Sequence, residues 1–559
     1  MEGLPADAGR GLARGFDPQK GLWAHGEHGE RSLMRMVQVT GETLSIEELA
    51  LVARSGAKVA PLGAEVKSRM MESYDWVQRA MADGGRVVYG VNTGYGPLAK
   101  QHIPADQARQ LSRNLVLTCM VGVGEPLPPD LVRGMMLVRA NTLAKGLSGV
   151  RPKVVETLID MLNAGVVPWV PAKGSVGASG DLAPLAHMAV VLTRSAGGGD
   201  GISGQAWVRG ELMSGEEAMR RAGVERLVSE PKEGFALTNG TSFMAAAAAL
   251  AVCDAHHLVR HAEVAAALSM EGLRALSAAF HPALHESNNQ PGQVRCAANL
   301  RRLLEGSQLI DSSPERVQDA YSVRCTPQVL GPIDDILEFL RARVTAAINA
   351  AADNPLVFAR LTDEGEGRAL SGGNFHGEGL ALWLDYLGIA MAEVASLAER
   401  RTFRLLTPEL SDGLPSMLVP TSGLDSGLMM PQYTAAALVS ENKTLAHPDS
   451  VDSIPTSANQ EDHVSMGANA ALHARTILEN VRIVLAIELL TAAQAVDLRP
   501  HGPDSLGQGT RIAYRKVREK AAVLVHDRPL SPDIGALSDL IQSGALLQSL
   551  AAEISGWAE

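Results

Sequence analysis

The segment DILEFLRARVTAAINAAA, residues 335–352, indicates the fold class of this protein. Its apolar positions recur every four residues, at Ile336, Leu340, Val344 and Ile348. That spacing places them along one face of an α-helix. Two further segments, 379–400 and 468–495, have broad apolar stripes and few polar residues. Because helices that are apolar on most sides are buried among other helices, the sequence predicts a mainly α fold with a long central helical bundle.

The composition agrees with packed helices and disfavours several classes of partner. Of the 559 residues, 46% are apolar but only 4% are aromatic, and sheet-rich proteins depend more on aromatic residues. The formal net charge is −12 and no long block of Lys or Arg occurs, so we expect no nucleic-acid partner. We also expect no membrane partner, because the most apolar stretch, around Gly379 to Leu397, contains Asp385 and Glu393.

The four cysteines form no C-x-x-C pair. Their even number allows two disulfides, but in a chain of this length we favour a reduced protein. The first residues contain scattered charges and no apolar signal segment. Together these features favour a cytoplasmic location.

The chain divides into three parts by composition. Residues 1–33 are Gly-rich, charged and without periodicity, and we expect them to be a disordered extension. Residues 34–230 are predicted to form a smaller, loop-rich N-terminal part, and residues 231–559 the central and C-terminal helical bundle. The first helix is predicted to follow Ser45, since this serine with Glu48 three residues later is typical of a capping box.

A Gly-rich loop in the N-terminal part, GSVGASGDLAPL at residues 174–185, is suited to covalent chemistry. Gly180 lacks a Cβ atom, so its amide nitrogen can approach the carbonyl carbon of Ala178 in a geometry closed to other residues. Loss of water from Ser179 would leave a methylidene group on a five-membered ring made from the chain itself. Asp181 would assist the dehydrations or cap the helix that follows. The alternative is a plain Gly-rich loop with a helix cap; a phosphate loop fits poorly, because no Lys-Ser/Thr pair follows the glycines.

This loop resembles the signature of the histidine and phenylalanine/tyrosine ammonia-lyase family, whose members form 4-methylideneimidazole-5-one (MIO) from Ala-Ser-Gly. Further motifs resemble the family in order along about 45–497: YGVNTGYG at 89–96, LTNGT at 237–241, QDAYSVR at 318–324, DNPL at 353–356, SGGNFHGE at 371–378 and SANQEDHVSM at 457–466. The resemblance implies an MIO group self-formed from Ala178-Ser179-Gly180 and carried by the N-terminal part. It implies elimination of ammonia from an aromatic L-α-amino acid, leaving an α,β-unsaturated acid. It also implies a homotetramer whose active sites each draw residues from three chains.

The resemblance further implies a role for each motif residue. Tyr89, on its Gly-flanked loop, is the base that removes the β-proton, with a tyrosine that only excludes water as the alternative. Arg324 binds the substrate carboxylate, because a planar guanidinium matches two oxygens. Asn239 stabilises the ring oxygen or holds the substrate and Tyr321, and Tyr321 is itself implied to be a catalytic residue. The other motif residues orient or contact the substrate: Gln318, Asn374 and Phe375.

Two places bear on the choice of substrate. Glu461 lies in a motif that resembles the histidine branch, and a buried carboxylate suits an imidazole N–H better than a phenyl ring. Histidine, giving urocanate, is therefore the leading substrate. Thr118 and Cys119 correspond to the pair that helps to choose the side chain in this family, and they match none of its usual pairs. Activity on tyrosine, phenylalanine or a modified aromatic amino acid, as a lyase or a 2,3-aminomutase, stays open.

Two other interpretations concern metal binding and loss of catalysis. His257 and His261 are four residues apart, as are His281 and His285, but neither pair belongs to an H-E-x-x-H motif, and we expect no metal site. A degenerate relative could serve as a scaffold or binding protein. The residues that a scaffold would not need are all intact: Ala178, Ser179, Gly180, Tyr89, Asn239, Tyr321 and Arg324.

Overall fold

The computed structural model of the protein describes residues 36–83, 87–197, 201–360 and 367–557. The predicted extension, 1–33, lies outside the described residues. The helices are α1 (Ile46–Ser55), α2 (Ala64–Ala82), α3 (Ala108–Thr118), α4 (Pro129–Ala144), α5 (Pro152–Ala164), α6 (Leu182–Leu192), α7 (Gly215–Ala222), α8 (Glu233–Thr238), α9 (Ser242–Leu273), α10 (Pro282–Glu286), α11 (Pro291–Leu304), α12 (Tyr321–Arg324), α13 (Thr326–Ile348), α14 (Glu378–Leu406), α15 (Met429–Leu445), α16 (Gly467–Asp497), α17 (Gln508–Arg518), α18 (Ser531–Gln542) and α19 (Ala545–Glu553).

The strands are short and form small sheets. They are β1 (Val123–Pro126), β2 (Val167–Pro168), β3 (Pro171–Lys173), β4 (Thr193–Arg194), β5 (Gln205–Val208), β6 (Glu211–Ser214), β7 (Leu227–Val228), β8 (Leu356–Phe358) and β9 (Arg368–Leu370). Strand β1 pairs with β3, β5 lies between β2 and β6, β4 pairs with β7, and β8 pairs with β9. Only the β4–β7 pair is parallel among these. Strands β1 to β7 all precede residue 230. The division of the chain into parts at residues 230 and 231 stays a prediction.

Three long helices form the centre of the bundle. Helices α14 and α16 pack against each other, and both pack against α9. A fully buried ion pair joins them: Arg401 of α14 donates to Glu488 of α16 at 2.9 Å, and Ser269 of α9 donates to the same carboxylate at 2.8 Å. The predicted fold class, mainly α with a long central bundle, is confirmed.

The predicted helical segments lie where expected, with different ends. Segments 379–400 and 468–495 fall within α14 and α16. Helix α13 begins at Thr326 instead of 335. Pro327 lies in its first turn, where a missing N–H costs nothing, and the helix also accommodates Pro332 in its interior. It ends at Ile348, where the Asn349 side chain donates to Leu44 O at 2.8 Å. The predicted capping box of α1 is confirmed, with Ser45 Oγ accepting from Glu48 N at 3.1 Å and Ser45 N donating to Glu48 Oε2 at 3.0 Å.

Two core helices are apolar enough to be mistaken for membrane spans. Helices α9 and α14 are both long and apolar enough to cross a membrane, by length and composition alone. The sequence analysis had identified only the apolar stretch that lies within α14. In their most apolar windows, 78% of α9 and 61% of α14 are buried inside the protein. Burial on this scale accounts for their apolar character, because an apolar stripe around a helix matches neighbouring helices as well as lipid.

Candidate active site

The Gly-rich loop joins β3 to α6 and is held against residue 240. Gly180 has a φ of 71°, in the left-handed region, and pairs with Gly240 in an isolated parallel bridge. Asp181 N donates to Gly240 O at 2.8 Å, and Gly240 N donates to Ser179 O at 3.2 Å. A Cβ atom at position 180 would lie 2.2 Å from Gly240 O. Only glycine therefore fits as the third residue of Ala178-Ser179-Gly180.

Asp181 is fully buried behind the loop, but it does not cap its own helix. Its Oδ2 atom accepts from Phe243 N at 2.9 Å and from Met244 N at 3.1 Å, both in the first turn of α9. The prediction that Asp181 caps α6 is therefore wrong: the carboxyl group is turned towards first-turn amides of α9, which lack helical partners. Burial raises the pKa of Asp181 to about 7, although these bonds and Arg139 oppose the shift. An acid of that strength can exchange protons at neutral pH.

Ser179 lies against Glu461. Ser179 Oγ donates to Glu461 Oε1 at 2.8 Å, and Thr456 Oγ1 donates to Glu461 Oε2 at 2.6 Å. Cys119 is half-buried and directly follows Thr118, the exposed last residue of α3. Burial, together with the negative charge of Glu461, raises the pKa of Cys119 to about 11, so the thiol is neutral. The structure thus brings Ser179, Glu461 and Cys119 together.

Tyr89 lies in the loop after α2, packed on an aromatic side chain of α8. Its Oη accepts from Gly96 N at 3.1 Å, and its ring meets Phe235 edge-on with 5.9 Å between centroids. Tyr95 also packs on Phe235, with 4.8 Å between the ring centroids. Burial raises the pKa of Tyr95, and Tyr89 and Cys119 add to the shift. Tyr89 and Cys119 therefore lie around the same neutral phenol.

Asn239 is buried at the point where α8 meets the Gly-rich loop. Arg139 donates to Asn239 O at 2.6 Å, and Asn239 Nδ2 donates to Asp353 Oδ1 at 3.2 Å. Lys232 binds the other oxygen of Asp353 at 2.8 Å. The sequence patterns did not single out Arg139 or Lys232. The available signal for Arg139 was a charge in the apolar run GMMLVRANTLA, residues 134–144.

The segment 371–378 is joined to the Gly-rich loop from the other side. Gly377 N donates to Gly177 O at 3.2 Å. Asn374 is exposed, and its Nδ2 donates to Ala351 O at 3.3 Å, while Phe375 is half-buried. These two residues therefore lie on a segment that contacts the loop.

Three further predicted site residues, Gln318, Tyr321 and Arg324, lie in or just before α12. The Arg324 guanidinium lies 4.7 Å from the centre of the Tyr321 ring, and Tyr321 is 72% exposed. Gln318 is also exposed. Within the described part of a single chain, none of the three forms a hydrogen bond or ion pair with Ser179 or Glu461. One chain alone does not assemble the whole predicted set.

The paired histidines have structural partners. His261 is buried in α9, with Nδ1 2.8 Å from His257 O. His285 lies 3.1 Å from Ala279 O, and Gln293 contacts its other nitrogen at 2.9 Å. In the ranges that the structure covers, no group of three or more His, Cys, Asp or Glu side chains is arranged to hold a metal ion.

The family of the chain follows from its similarity to known proteins. Residues 44–519 match the family described as aromatic amino acid lyase. The chain belongs to this family. The matched range includes every motif quoted above, so the predicted family and the predicted class of carbon–nitrogen lyase are confirmed. Members of the family use MIO.

Individual relatives of this lyase are similar over almost their whole length. It is 48% identical to a histidine ammonia-lyase of Caldanaerobacter subterraneus subsp. tengcongensis, over 93% of this chain and 99% of that protein. The crystal structure of histidine ammonia-lyase from Trypanosoma cruzi has a TM-score of 0.84 and 37% identity, covering 93% and 96% of the two chains. Tyrosine aminomutase from Streptomyces globisporus has a TM-score of 0.86 and 35% identity, covering 93% and 99%.

Proposed function

We propose that this lyase eliminates ammonia from L-histidine to give urocanate. The observation that carries the proposal is the position of Glu461, whose carboxylate accepts from Ser179 Oγ at 2.8 Å. The proposed ring formation removes the Ser179 hydroxyl, and Glu461 Oε1 can then accept a hydrogen bond from an imidazole N–H. A phenyl ring would leave this oxygen desolvated and without a donor. The similarity to histidine ammonia-lyases over 93% of the chain supports the same substrate.

The second candidate is a lyase or 2,3-aminomutase that acts on tyrosine, phenylalanine or a modified aromatic amino acid. Cys119 favours it, because this neutral thiol next to Glu461 offers little polarity to a substrate ring. The structural similarity to a tyrosine aminomutase is also in its favour. Glu461 favours histidine, since a half-buried carboxylate without a donor from the substrate ring would weaken binding.

We infer that Ala178, Ser179 and Gly180 cyclise with loss of two waters to form MIO. The residues fit the group, because Gly180 has the left-handed backbone and the close approach to Gly240 that exclude a side chain. Asp181, buried and with a pKa of about 7, is placed to donate and accept protons during the dehydrations. Once formed, MIO supplies an electrophile that makes the substrate amine a better leaving group.

The remaining roles are assigned to the chain's own side chains. Tyr89 removes the β-proton of the substrate, and the packing of its ring on Phe235 sets the direction of its hydroxyl. Arg324 binds the substrate carboxylate with its planar guanidinium, and Tyr321 stacks on that guanidinium. Asn239 holds the substrate and not the ring oxygen, because its NH₂ group is bound to Asp353 and Asn354 and only its oxygen, an acceptor, is free among the described residues. Substrate contacts come from Thr118, Cys119, Gln318, Asn374, Phe375 and Glu461.

We propose further that the active protein is a cytoplasmic homotetramer in which neighbouring chains complete each site. The support is the exposure of residues that are expected to touch a small substrate. Tyr321 is 72% exposed in one chain, and Gln318 and Asn374 are exposed as well. A residue that binds substrate in a site without water must be shielded from solvent. A second and a third copy of the chain would bury these exposed side chains.

An ultraviolet assay of the purified protein tests the substrate. Urocanate is expected from L-histidine, with little product from L-tyrosine or L-phenylalanine. Ser179→Ala should abolish most turnover and retain the full sequence mass, whereas the unaltered protein should lack two waters. Glu461→Gln should reduce kcat/KM for histidine by about ten-fold or more, because a charged acceptor is lost. No urocanate, with turnover of another aromatic amino acid, would overturn the proposal in favour of the second candidate.

A further inference from the structure

The carboxamide of Asn239 has a fixed orientation. Its Nδ2 donates to Asp353 Oδ1 at 3.2 Å and to Asn354 O at 3.3 Å. Both partners are acceptors, so only the NH₂ end of the amide can face them. The oxygen, Asn239 Oδ1, is buried and has no hydrogen-bond partner within the described protein. A buried acceptor without a partner is costly, and the oxygen therefore requires a donor from outside the chain.

The fixed end of the amide depends on a buried ion pair. Lys232 Nζ lies 2.8 Å from Asp353 Oδ2, and both side chains have no exposed surface. Asn354 N donates to Asp353 Oδ1 at 2.7 Å, the same oxygen that Asn239 contacts. Burial works against the charged carboxylate, but Lys232 and Arg139 outweigh it and hold the pKa of Asp353 below its usual value.

Stability alone is a poor reason for this ion pair. Removing two charges from water costs several kcal/mol per ion, and apolar replacements of buried pairs are often neutral or stabilising. Lys232 also adopts a left-handed backbone, with a φ of 70°, which is unfavourable for a residue with a side chain. The buried ion pair and the left-handed backbone of Lys232 are both unfavourable, and their occurrence at one residue indicates that the position of this side chain serves a function.

The pair lies next to the proposed reaction centre. Asn239 directly precedes Gly240, whose amide donates to Ser179 O at 3.2 Å. On the other side, Lys232 Nζ is 5.9 Å from the centre of the Phe235 ring, which packs on Tyr89. Asp353 thus contacts Asn239, next to the residue that binds Ser179, and Lys232 lies near Phe235, which packs on Tyr89. The ion pair reaches Ser179 and Tyr89 only through these neighbours.

We propose that Lys232 and Asp353 are positioning residues, which hold Asn239 so that its oxygen accepts a hydrogen bond from the α-amino group of the substrate. This inference rests on the proposed function, because it requires an amino acid bound next to Ser179. It assigns the donor to the amine, since the carboxylate of an amino acid offers no hydrogen and the imidazole N–H is already assigned to Glu461. If Asp353 were replaced by leucine, Asn239 Nδ2 would lose its carboxylate acceptor, and the Asn239 carboxamide would no longer be held with its oxygen towards the substrate amine.

Binding of ligands with and without an amine tests the inference independently of turnover. In the Ser179→Ala background, calorimetry gives Kd for L-histidine and for 3-(imidazol-4-yl)propionate, which lacks only the amine. The double variant Lys232→Met/Asp353→Leu removes both charges and the acceptor of Asn239 Nδ2. It should raise the ratio of the Kd for L-histidine to the Kd for 3-(imidazol-4-yl)propionate about ten-fold or more. The control Arg401→Met/Glu488→Gln removes an equally buried ion pair of the bundle. We expect it to leave the ratio unchanged.

A second variant protects the test against misfolding. Asn239→Ala removes the acceptor directly and should raise the same ratio, with thermal melting used to verify the fold of each variant. An unchanged ratio in a folded double variant, or in folded Asn239→Ala, would overturn the inference. If the Ser179→Ala protein binds neither imidazole ligand, the proposed substrate is wrong. L-tyrosine and 3-(4-hydroxyphenyl)propionate then provide the same comparison, since only the ring differs.

Discussion

Replacing Gly180 by alanine perturbs the tightest contact of the Gly-rich loop. The added Cβ atom would lie 2.2 Å from Gly240 O and 2.3 Å from Gly240 C, both of which are backbone atoms that cannot rotate away. Residue 180 would also keep a φ of 71°, in the left-handed region. Gly165 provides a matched control, because its φ is 73° and no atom lies within 4 Å of its ideal Cβ position.

The structure gives the expected size of each effect. An alanine in the left-handed region costs about 1–2 kcal/mol, and Gly165→Ala should lose only that amount of unfolding free energy. In Gly180→Ala the loop must also separate from Gly240, which breaks the hydrogen bonds Asp181 N to Gly240 O and Gly240 N to Ser179 O. At about 1 kcal/mol for each bond, the total loss becomes about 3–4 kcal/mol.

Two measurements check this difference. Urea unfolding followed by circular dichroism, in the Ser179→Ala background, reports the loss of free energy without interference from ring formation. Intact mass, in the otherwise unaltered protein, reports whether the loop cyclises: Gly165→Ala should lack two waters and Gly180→Ala should retain the full sequence mass. Equal unfolding free energies for the two variants, or a Gly180→Ala protein that lacks two waters, would refute the reasoning.

Three further predictions concern the site. The raised pKa of Asp181, about 7, means that its protonated form stabilises the fold at acidic pH, and this contribution is lost as the pH rises from about 4 through about 7. Asp181→Asn keeps an acceptor for α9 and should remove this pH dependence, which amounts to on the order of 4 kcal/mol of unfolding free energy. Urea unfolding at several pH values, in the Ser179→Ala background, measures it. The same change of unfolding free energy with pH in both proteins would contradict the prediction. Arg324→Lys should raise KM about ten-fold or more with little change in kcat, and an unchanged KM would exclude the carboxylate role. Tyr89→Phe should lower kcat by about 10²–10⁴-fold, whereas equal losses in the control Tyr95→Phe would remove the special role of Tyr89.

The helical fold was predictable because its signal is local. A four-residue spacing of apolar side chains places segment 335–352 on a helix regardless of the rest of the chain. The ends of that helix were less accessible: its start depends on the tolerance for Pro327 in a first turn, and its end on a contact between Asn349 and Leu44, 305 positions away. Short strands such as β2 and β4, of two residues each, have too few positions to show an alternating pattern.

The site was predictable as far as its loops resemble a family. The motifs identified Ser179, Tyr89 and Asn239, but a motif does not show which way a side chain points. Asp181 was expected either to assist the dehydrations or to cap the next helix; it does not cap that helix, and its carboxyl group binds amides of α9. The pairing of Lys232 with Asp353 spans 121 positions and has no local pattern. Long-range partners of this kind become visible only when the chain is folded.

The contacts of Asp181 also imply an order between folding and the proposed ring formation. Its carboxyl group finds its partners at Phe243 and Met244, 62 and 63 positions further along the chain. A nascent chain that has not yet produced and packed α9 lacks these contacts, as well as the support of Gly240 for Gly180. The proposed electrophile would therefore arise only in a finished fold. An unfinished chain would carry no electrophile that could react with the amines and thiols of other proteins. The chain would become reactive only once it is folded.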